Sequence, residues 1–411
     1  MKTWILYLAT FLMAFSTTLI FGDSATALEI FRTLSTMALQ VGSFVFIPLL
    51  FIGCASGISS LRKDDLTRKV HVKGLAWIIL TALLIPFIAA AVFYFYPAQF
   101  PVSSTAGASS NQAYVLSLAK KYSTSTFTNN PFLTMALSSV YLLPIMIIAW
   151  LFGYALKPNV DVIKPAYAVF NSLSEVMFRI SHIYTTFGYI LTYILATTSM
   201  LALYNEKTIF VSPIFLVTIL SIVALIALVV LPLIYLALTR QNPYKILYRC
   251  LAALITGFSA GNAFVTSPMI ETLTRHNVGV QKRISATVTP LFALLSRAGS
   301  ATMATLSLSA IIYAATGELP TFSLLATIAL LSTLVSFVAS TAVTFEIPFI
   351  MFAIMKMGNI TLFGAEMTLY GLLPLFMGLG YLLDVEITLL GVSLVGVKTQ
   401  TNVPTLYNDI V

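Results

Sequence analysis

The sequence predicts an all-α polytopic membrane protein with eight transmembrane helices and two re-entrant helical hairpins. Of the 411 residues, 59% are hydrophobic and 9% are charged, and the mean hydropathy is +0.95. A water-soluble domain of this size with that composition would aggregate. Apolar runs long enough to cross a hydrocarbon core of about 30 Å recur along nearly the whole chain. Lipid is therefore the expected solvent, and no soluble domain remains for separate chemistry.

The positive balance of the chain does not indicate a nucleic-acid partner. The formal net charge is +8, but Lys and Arg lie in short clusters between apolar runs, as membrane topology requires. Cys54 and Cys250 lie in distant apolar runs, so neither a disulfide nor a thiolate metal site is expected. The three histidines occur singly, without metal-ligand spacing: His71, His182 and His276. We expect no cofactor, and Na+ or H+ are the candidate coupling ions.

Six apolar segments precede Arg249, and each is predicted to span the bilayer. They are Trp4–Phe21, Phe31–Leu61, Gly74–Tyr96, Phe132–Leu156, Ala166–Ala202 and Thr208–Leu238. The opening stretch, Met1–Ala27, also fits a cleavable signal peptide because small residues follow its apolar run. We expect a retained first helix.

The distribution of Lys and Arg predicts a cytoplasmic N-terminus. Alternate loops then place most of the cations inside: Arg62, Lys63, Arg68, Lys69, Lys73, Lys157, Lys164, Arg240, Lys245 and Arg249. The longest polar stretch, Gln99–Asn130, carries only Lys120 and Lys121 and is expected outside. With eight spans, both termini are cytoplasmic, and the expected location is the cell inner membrane.

After Arg249 the apolar stretches are interrupted at their middles. Leu251–Ile270 contains Ser259-Ala260-Gly261-Asn262-Ala263, and Leu331–Met355 contains Thr344-Phe345-Glu346-Ile347-Pro348. Irregular backbone at membrane depth is tolerated only where it packs in protein or lines a wet cavity, so each stretch is predicted to be a re-entrant hairpin. Ordinary kinking of spanning helices is the alternative.

Each predicted hairpin is followed by an apolar segment that is expected to form an interrupted helix. These segments are Val288–Ala315 and Leu369–Val397. Two copies of a broken hairpin with an interrupted helix point to an inverted repeat that holds a site near the bilayer midplane.

The order of segments and several short motifs resemble the dicarboxylate/amino acid:cation symporter family, to which glutamate transporters belong. The motifs are Phe46–Phe51, Gly57–Ser59, Asn130–Phe132, Leu143-Pro144 and Ser174–Ile180. The resemblance implies a homotrimer with an elevator mechanism. Residues 1–245 would mainly form the scaffold and trimer contacts, residues 246–411 the transport core, and the third and sixth helices could move with the core.

The residues at the implied binding site depart from the family pattern. The seventh-helix signature Asn-Met-Asp-Gly-Thr falls on Ser296–Ser300, with four of its five residues changed. In the eighth helix the amino-group-binding Asp of the family is kept as Asp384, whereas its side-chain-binding Arg is replaced by Ile387. Two further family residues, an Asn and an Asp, fall on Gly391 and Val395. The resemblance therefore leaves the substrate side chain open.

Arg297 is the strongest single candidate for a functional residue. An Arg within an apolar span costs about 3 kcal/mol and cannot deprotonate, so it should face a cavity or a carboxylate. The resemblance places it beside a sodium site of the family. Our hypothesis is that Arg297 replaces bound sodium and also contacts the substrate. The alternative is an Arg that snorkels or forms a purely structural ion pair.

Three carboxylates are candidates for the same site. The resemblance implies that Asp384 accepts a substrate ammonium group. One of Glu346 and Glu386 is expected to neutralise Arg297, and the other would favour its neutral form because desolvation penalises charge. That group could couple transport to protons. Glu386 lies about 200° around the helix from Asp384, so the two cannot easily share one ligand, and Glu386 facing solvent or headgroups is the alternative.

Neutral side chains complete the predicted substrate site. Ser259, Asn262, Ser300 and Thr388 could donate hydrogen bonds to a substrate carboxylate. The alternative is that such hydroxyls bond to their own helix backbone or to another helix.

The function that the resemblance implies is secondary active transport of a small amino acid or dicarboxylate, with weakened or absent sodium coupling. A conventional sodium-coupled amino acid symporter is the first alternative, and an ion or anion channel is the alternative from another class. An enzyme is not expected, since no nucleophile–base pair or helical metal motif occurs.

Overall fold

A computed structural model of the chain describes residues 2–101, 142–205, 212–339, 346–358, 365–403 and 405. Within these ranges every regular element is a helix. The first half contributes α1 (Thr3–Phe21), α2 (Ala25–Lys63), α3 (Thr67–Phe95), α4 (Leu143–Ala155), α5 (Lys164–Asn205) and α6 (Pro213–Thr239). The helix α6 contains a π-helical segment at Ile226–Val230.

The second half contributes shorter, paired helices. They are α7 (Pro243–Arg249), α8 (Leu251–Ala260), α9 (Ala263–Leu273), α10 (Lys282–Leu295), α11 (Ala298–Thr316), α12 (Phe322–Ala339), α13 (Glu346–Met357) and α14 (Glu366–Lys398). A π-helical turn, Thr274–Val278, extends α9. Helices α8 and α9 pack together as the first hairpin, and α12 and α13 pack together as the second.

Seven of the described helical segments are long and apolar enough to cross a membrane. This agrees with the predicted polytopic membrane fold. The start of the predicted fourth span at Phe132 lies outside the described residues, and so do most of the polar stretch Gln99–Asn130 and the Thr344-Phe345 pair in the second hairpin.

The turn of the first hairpin follows from two adjacent residues. Gly261 ends α8 in the left-handed region with φ of +52°, where a side chain would be strained, and a Cβ there would lie 3.1 Å from Met377. Asn262 then caps α9, because its side chain accepts a hydrogen bond of 2.7 Å from the backbone N–H of Phe264. The chain reverses within two residues, as the interrupted apolar run predicted.

The two segments that follow the hairpins differ from each other. The first is broken between α10 and α11 at Ser296 and Arg297, as expected. The second is a single helix, α14, so the expected interruption of this segment is wrong. Its Pro374 and its small residues are accommodated by close neighbours: a Cβ at Gly378 would lie 2.6 Å from the carbonyl oxygen of Phe258. Packing here stabilises a continuous helix that composition alone did not predict.

The second half of the chain is enclosed by protein, whereas the first helix is not. The most apolar window of α14 is 89% buried and that of α10–α11 is 83% buried, against 17% for α1. Helices α8, α10 and α11 surround α14, and α3 packs against α11, α12 and α14. The intramembrane charges of the second half therefore lie inside the helical bundle.

Candidate substrate site

A buried ion pair joins the break between α10 and α11 to the second hairpin. The side chains of Arg297, between α10 and α11, and Glu346, at the start of α13, are 2% and 0% exposed. The Nε atom of Arg297 lies 3.1 Å from Oε1 of Glu346. Glu346 is therefore the carboxylate that pairs with Arg297, and Glu386 is not. Removing either partner would leave the other charge buried and uncompensated.

The guanidinium group of Arg297 retains unused hydrogen-bonding capacity. Its contact with Glu346 is close but not aligned as a hydrogen bond, and its Nη2 has no hydrogen-bond partner among the described residues. The neighbouring hydroxyl of Ser296 is also buried, and it too lacks a partner in the described part of the chain. The ring of Tyr381 lies 5.1 Å from the guanidinium carbon, within the range of a cation–π contact. Buried donors without partners are uncommon, and they are suited to an anionic ligand group.

Asp384 binds the N-terminal end of α11. Its Oδ1 accepts a hydrogen bond of 2.7 Å from the N–H of Gly299, and its Oδ2 accepts one of 2.9 Å from the Ser300 hydroxyl. The N–H of Ser300 lies 3.3 Å from the same Oδ2. A carboxylate from α14 thus satisfies free backbone donors at a helix start and complements the helix dipole.

Ser300 bridges the two acidic residues of the site. Its hydroxyl oxygen lies 2.9 Å from Oδ2 of Asp384 and 3.1 Å from Oε2 of Glu346. A hydroxyl has one proton to donate. Either Ser300 shares that proton between two carboxylates, or one of the carboxyl groups itself carries a proton.

The cavity beside these groups is very small. It has a volume of about 10 Å³, which is close to the space of one water molecule. Its walls come from α9, α10, the Ser296-Arg297 break and α14, and its polar lining residues are Thr266, Ser267, Ser296, Arg297, Tyr381, Asp384 and Thr388. In this conformation there is no room for an amino acid.

Three of the predicted hydrogen-bond donors bond to backbone instead. The hydroxyl of Ser259 donates to the carbonyl of Ile255, and that of Thr388 donates to the carbonyl of Asp384, both at 2.8 Å. Asn262 caps α9 with its side chain. Of the four neutral candidates, Ser300 alone bonds to the acidic groups of the site.

Several residues that line the cavity were not predicted from the sequence, although their spacing from the hairpin turn and from Asp384 indicated them. Thr266 and Ser267 follow the hairpin turn by about one helical turn, which places them on the wall beside Arg297. Tyr381 lies three residues before Asp384 and therefore shares its face of α14. The hydroxyls of Thr266 and Ser267 currently donate to backbone carbonyls, at 3.2 and 2.7 Å.

Glu386 is buried away from the ion pair. It is 3% exposed, and its Oε1 has no hydrogen-bond partner. It lies seven residues before Ser393, whose hydroxyl meets that of Tyr235 on α6 at 3.0 Å. Seven residues are nearly two full helical turns, so Glu386 lies on the face of α14 that meets α6.

Broken helices that bring buried charges together inside an apolar bundle are typical of membrane transporters. The arrangement is that of a polytopic membrane protein with a buried, charged candidate site. The sequence profile of the sodium:dicarboxylate symporter family matches residues 5–394, and the chain belongs to that family. The resemblance seen in the sequence is thereby confirmed, and the members of the family are transporters rather than enzymes.

Curated relatives match over short segments. The neutral amino acid transporter B(0) of Homo sapiens is 38% identical over 72 residues, which are 18% of this chain and 13% of the relative. The neutral amino acid transporter A of Homo sapiens is 39% identical over 72 residues, 18% of this chain and 14% of the relative. An excitatory amino acid transporter of Onchocerca volvulus is 30% identical over 120 residues, 28% of this chain and 24% of the relative. The matches thus span a quarter or less of each relative.

Proposed function

We propose that the protein is a secondary active transporter that carries a small amino acid or a dicarboxylate across the cytoplasmic membrane by an elevator movement. Its sodium coupling is weak or absent because Arg297 supplies a fixed positive charge at the site. The single observation that carries this proposal is the guanidinium of Arg297, which is 2% exposed and lines a small cavity bordered by several polar side chains. Its Nη2 has no hydrogen-bond partner among the described residues.

The charges of the site favour a zwitterionic amino acid. Arg297 contributes one positive charge, and Glu346 and Asp384 contribute up to two negative charges. A substrate carboxylate would bind Nη2 of Arg297 and the Ser296 hydroxyl, whose donors lack partners. Its ammonium group would bind the acidic pair that Ser300 bridges. The names of the matched relatives, which include neutral amino acid transporters, support this substrate class.

A fixed cation also explains how the site closes without sodium. The attraction between Arg297 and Glu346 holds the start of α13 against the break between α10 and α11. In a water-excluded site such an attraction is strong, and it costs no bound ion. We infer that this pair forms the closed state of the second hairpin.

Protons are the proposed coupling ion, and Glu386 is the proposed carrier. It is buried, its Oε1 is unpartnered, and it lies on the face of α14 that meets α6. Ser300 has one hydroxyl proton for two carboxylates, which makes the Asp384–Glu346 pair a second candidate for proton binding.

The assembly proposed for transport is a homotrimer in the inner membrane, with both termini in the cytoplasm. Residues 1–245 form mainly the scaffold and residues 246–411 the transport core. Close packing of α3 against α11, α12 and α14 supports movement of the third helix with the core, and the Tyr235–Ser393 contact supports the same for α6. The exposed apolar surface of α1 is available to lipid or to another subunit.

Uptake into proteoliposomes tests the function and its coupling together. The purified chain is reconstituted, and uptake of radiolabelled neutral amino acids, acidic amino acids and dicarboxylates is measured with and without sodium, and with an inward proton gradient. We expect uptake of an amino acid in sodium-free buffer that increases with the proton gradient. Uptake that strictly requires sodium would contradict the role of Arg297 and favour a conventional sodium-coupled symporter.

A channel is the alternative from another class, and the same vesicles distinguish it. Among the described residues, the charged side chains of Arg297 and Asp384 line a small cavity of about 10 Å³, which does not favour a pore. Flux through a carrier saturates with substrate concentration. Non-saturating flux, with single-channel conductance in planar bilayers, would contradict the carrier proposal.

A further inference from the structure

A much larger cavity lies at the end of the molecule where α6 and α14 finish. Its volume is about 520 Å³, which is in the range of small-molecule sites. Its walls come from α7, the loop before α7, the end of the first hairpin, α14 and the segment after α14. The cavity is separate from the site beside Arg297, with which it shares no lining residue.

The charged residues in the described walls of this cavity are cations. Lys245 and Arg249 both line it, and they are four residues apart on α7, so they share one face of that helix. None of the described lining residues is Asp or Glu, and neither cation forms an ion pair within the described ranges. Neutral polar groups complete the walls: Gln241, Asn242, Ser393, Asn402 and Thr405.

Arg249 is held in a defined position by neutral partners. Its Nη1 donates to the carbonyl of Asn277 at 2.9 Å and to the hydroxyl of Thr405 at 2.8 Å. The side-chain amide of Asn277 donates back to the carbonyl of Arg249 at 2.7 Å. The Nε of Arg249 is buried and has no hydrogen-bond partner within the ranges that the structure describes. The guanidinium is thus oriented, but its charge is not compensated by any described carboxylate.

We propose that this cavity binds a phosphate group, either of an anionic lipid headgroup or of a free phosphate compound. Arg and Lys on one face, with hydroxyl and amide donors around them, match the charge and the several acceptor oxygens of a phosphate. Basic pockets between membrane helices are a recurrent type of headgroup site. The general clustering of cations at one membrane face explains the positive charge of both residues. It does not require a cavity of this volume, or a buried Nε without a partner among the described residues.

A phosphate bound here would add a further link between parts of the chain that already meet at this end of the molecule. Val278 ends the first hairpin, α7 leads into it, and Ser393 belongs to α14, and all three line the cavity. The ligand would therefore tie both ends of the first hairpin to α14. The inference does not depend on which substrate the protein carries.

Thermal unfolding of the purified full chain in neutral detergent tests this binding. Inorganic phosphate is titrated against sodium chloride of equal ionic strength, and phosphatidylglycerol is titrated against phosphatidylcholine. A ligand that binds the folded state raises the Tm in a saturable manner. We expect saturable rises with phosphatidylglycerol, with phosphate, or with both. The pattern identifies the source of the phosphate group.

Substitutions locate the site. Lys245→Gln is the main variant, because Lys245 is exposed and forms no hydrogen bond within the described ranges, so the folded chain should tolerate the change. Arg249→Gln is the second variant, and Lys69→Gln, an exposed lysine outside the cavity, is the matched control. Loss of one charge-assisted contact should weaken the apparent affinity about tenfold in Lys245→Gln. Lys69→Gln should bind like the wild type.

Two outcomes would overturn the proposal. One is that neither phosphate nor phosphatidylglycerol raises the Tm beyond its ionic-strength or zwitterionic control. The other is a saturable rise that is the same in the wild type, in Lys245→Gln and in Lys69→Gln. The test measures thermal stability rather than uptake. A negative result for phosphate binding can therefore be distinguished from a failure of the transport proposal.

Discussion

At the scale of single residues, Arg297 forms an ion pair with one carboxylate among the described residues, that of Glu346. The pair with Glu346 is almost fully buried, and a second carboxylate, Asp384, lies beyond Ser300 in the same cluster. A structural ion pair and a binding site make different demands on Arg297. In a structural ion pair, the two buried charges only have to cancel each other. In a binding site, the guanidinium of Arg297 must be present because it contacts the substrate.

Arg297→Gln should destabilise the protein by about 3–5 kcal/mol because Glu346 is left buried and unpaired. The double variant Arg297→Gln with Glu346→Gln removes both charges and should recover most of that loss, yet it should not bind substrate. Thermal unfolding and equilibrium binding of radiolabelled amino acid measure the two properties. A double variant that binds as tightly as the wild type would reduce Arg297 to a structural role.

Asp384→Asn should weaken binding of amine-bearing ligands about tenfold or more, since an amide cannot attract an ammonium group as a carboxylate does. It should also cost about 1–3 kcal/mol of stability, because the amide nitrogen cannot accept from the N–H groups of Gly299 and Ser300. Thr305→Val is the control, since the Thr305 hydroxyl donates to the Ala301 carbonyl of its own helix and Thr305 does not line the cavity. Equal affinity for the amine in Asp384→Asn and the control would remove Asp384 from the ammonium site.

At the scale of elements, the start of α11 is pressed directly against α14. A Cβ on Gly299 would lie 2.1 Å from the carbonyl oxygen of Gly380 and 2.7 Å from the Cβ of Leu383. The first of these atoms belongs to the backbone of a buried helix and cannot move aside cheaply. The absence of a side chain at Gly299 therefore allows Asp384 to reach the helix start.

Gly299→Ala should destabilise the protein by about 1–3 kcal/mol through overpacking, and it should abolish uptake by displacing α11 from Asp384. Gly74→Ala is the matched control, because a Cβ there would meet Phe292 at 3.5 Å, an ordinary contact, and alanine favours a helix. Thermal unfolding and uptake are measured on both variants. Normal uptake by Gly299→Ala would contradict the need for this close contact.

Ion pairs also link α5 to the π-helical turn that extends α9, at the end of the first hairpin, and to α10. Glu175 lies 3.5 Å from Arg275 and 3.2 Å from Lys282, and its side chain is 43% exposed. Such pairs contribute less than about 1 kcal/mol to stability. In the proposed elevator, however, α5 belongs to the scaffold and the hairpin to the core, so these contacts must break in each cycle.

Glu175→Gln should therefore change the maximal uptake rate while the Tm stays close to that of the wild type. Glu29→Gln, an exposed glutamate without an ion pair in the described ranges, is the control and should change neither property. Initial rates at saturating substrate are compared after normalisation to reconstituted protein. An unchanged rate in Glu175→Gln would argue against movement between α5 and the hairpin.

At the scale of the whole molecule, the distribution of charge predicts which loops face the cytoplasm. Lys157 lies in a basic loop that is expected inside, and Glu318 lies between α11 and α12 on the expected opposite side. The two native cysteines, Cys54 and Cys250, are buried and should not react with polar reagents.

Single cysteines test this topology in intact cells. Glu318→Cys should react with a membrane-impermeant thiol reagent added outside, whereas Lys157→Cys should react only after permeabilisation. Both positions are exposed in the folded chain. The reverse pattern of labelling would place the N-terminus outside and invert the predicted orientation.

The membrane spans were predictable because each depends on a local apolar run. The bounds were less accurate: α2 begins at Ala25 rather than Phe31, since Ser24 caps the helix before the apolar run starts. The continuity of α14 was not predictable, because it depends on neighbours that pack around its glycines. For the site, the sequence indicated isolated charges in apolar spans. It did not indicate which Glu meets Arg297, because that contact joins helices far apart along the chain.

The near absence of free volume beside Arg297 has a kinetic consequence. A cavity of this size holds no amino acid, so in the proposed mechanism a solute enters only during the intervals when the helices around the cavity separate. The measured association rate would then report how often the protein opens rather than how fast the solute diffuses. The apparent dissociation constant equals the intrinsic one divided by the open fraction. Weakening the ion pair between Glu346 and Arg297 would lengthen the intervals in which the site is open. Substrate association would then be faster, although a contact had been removed.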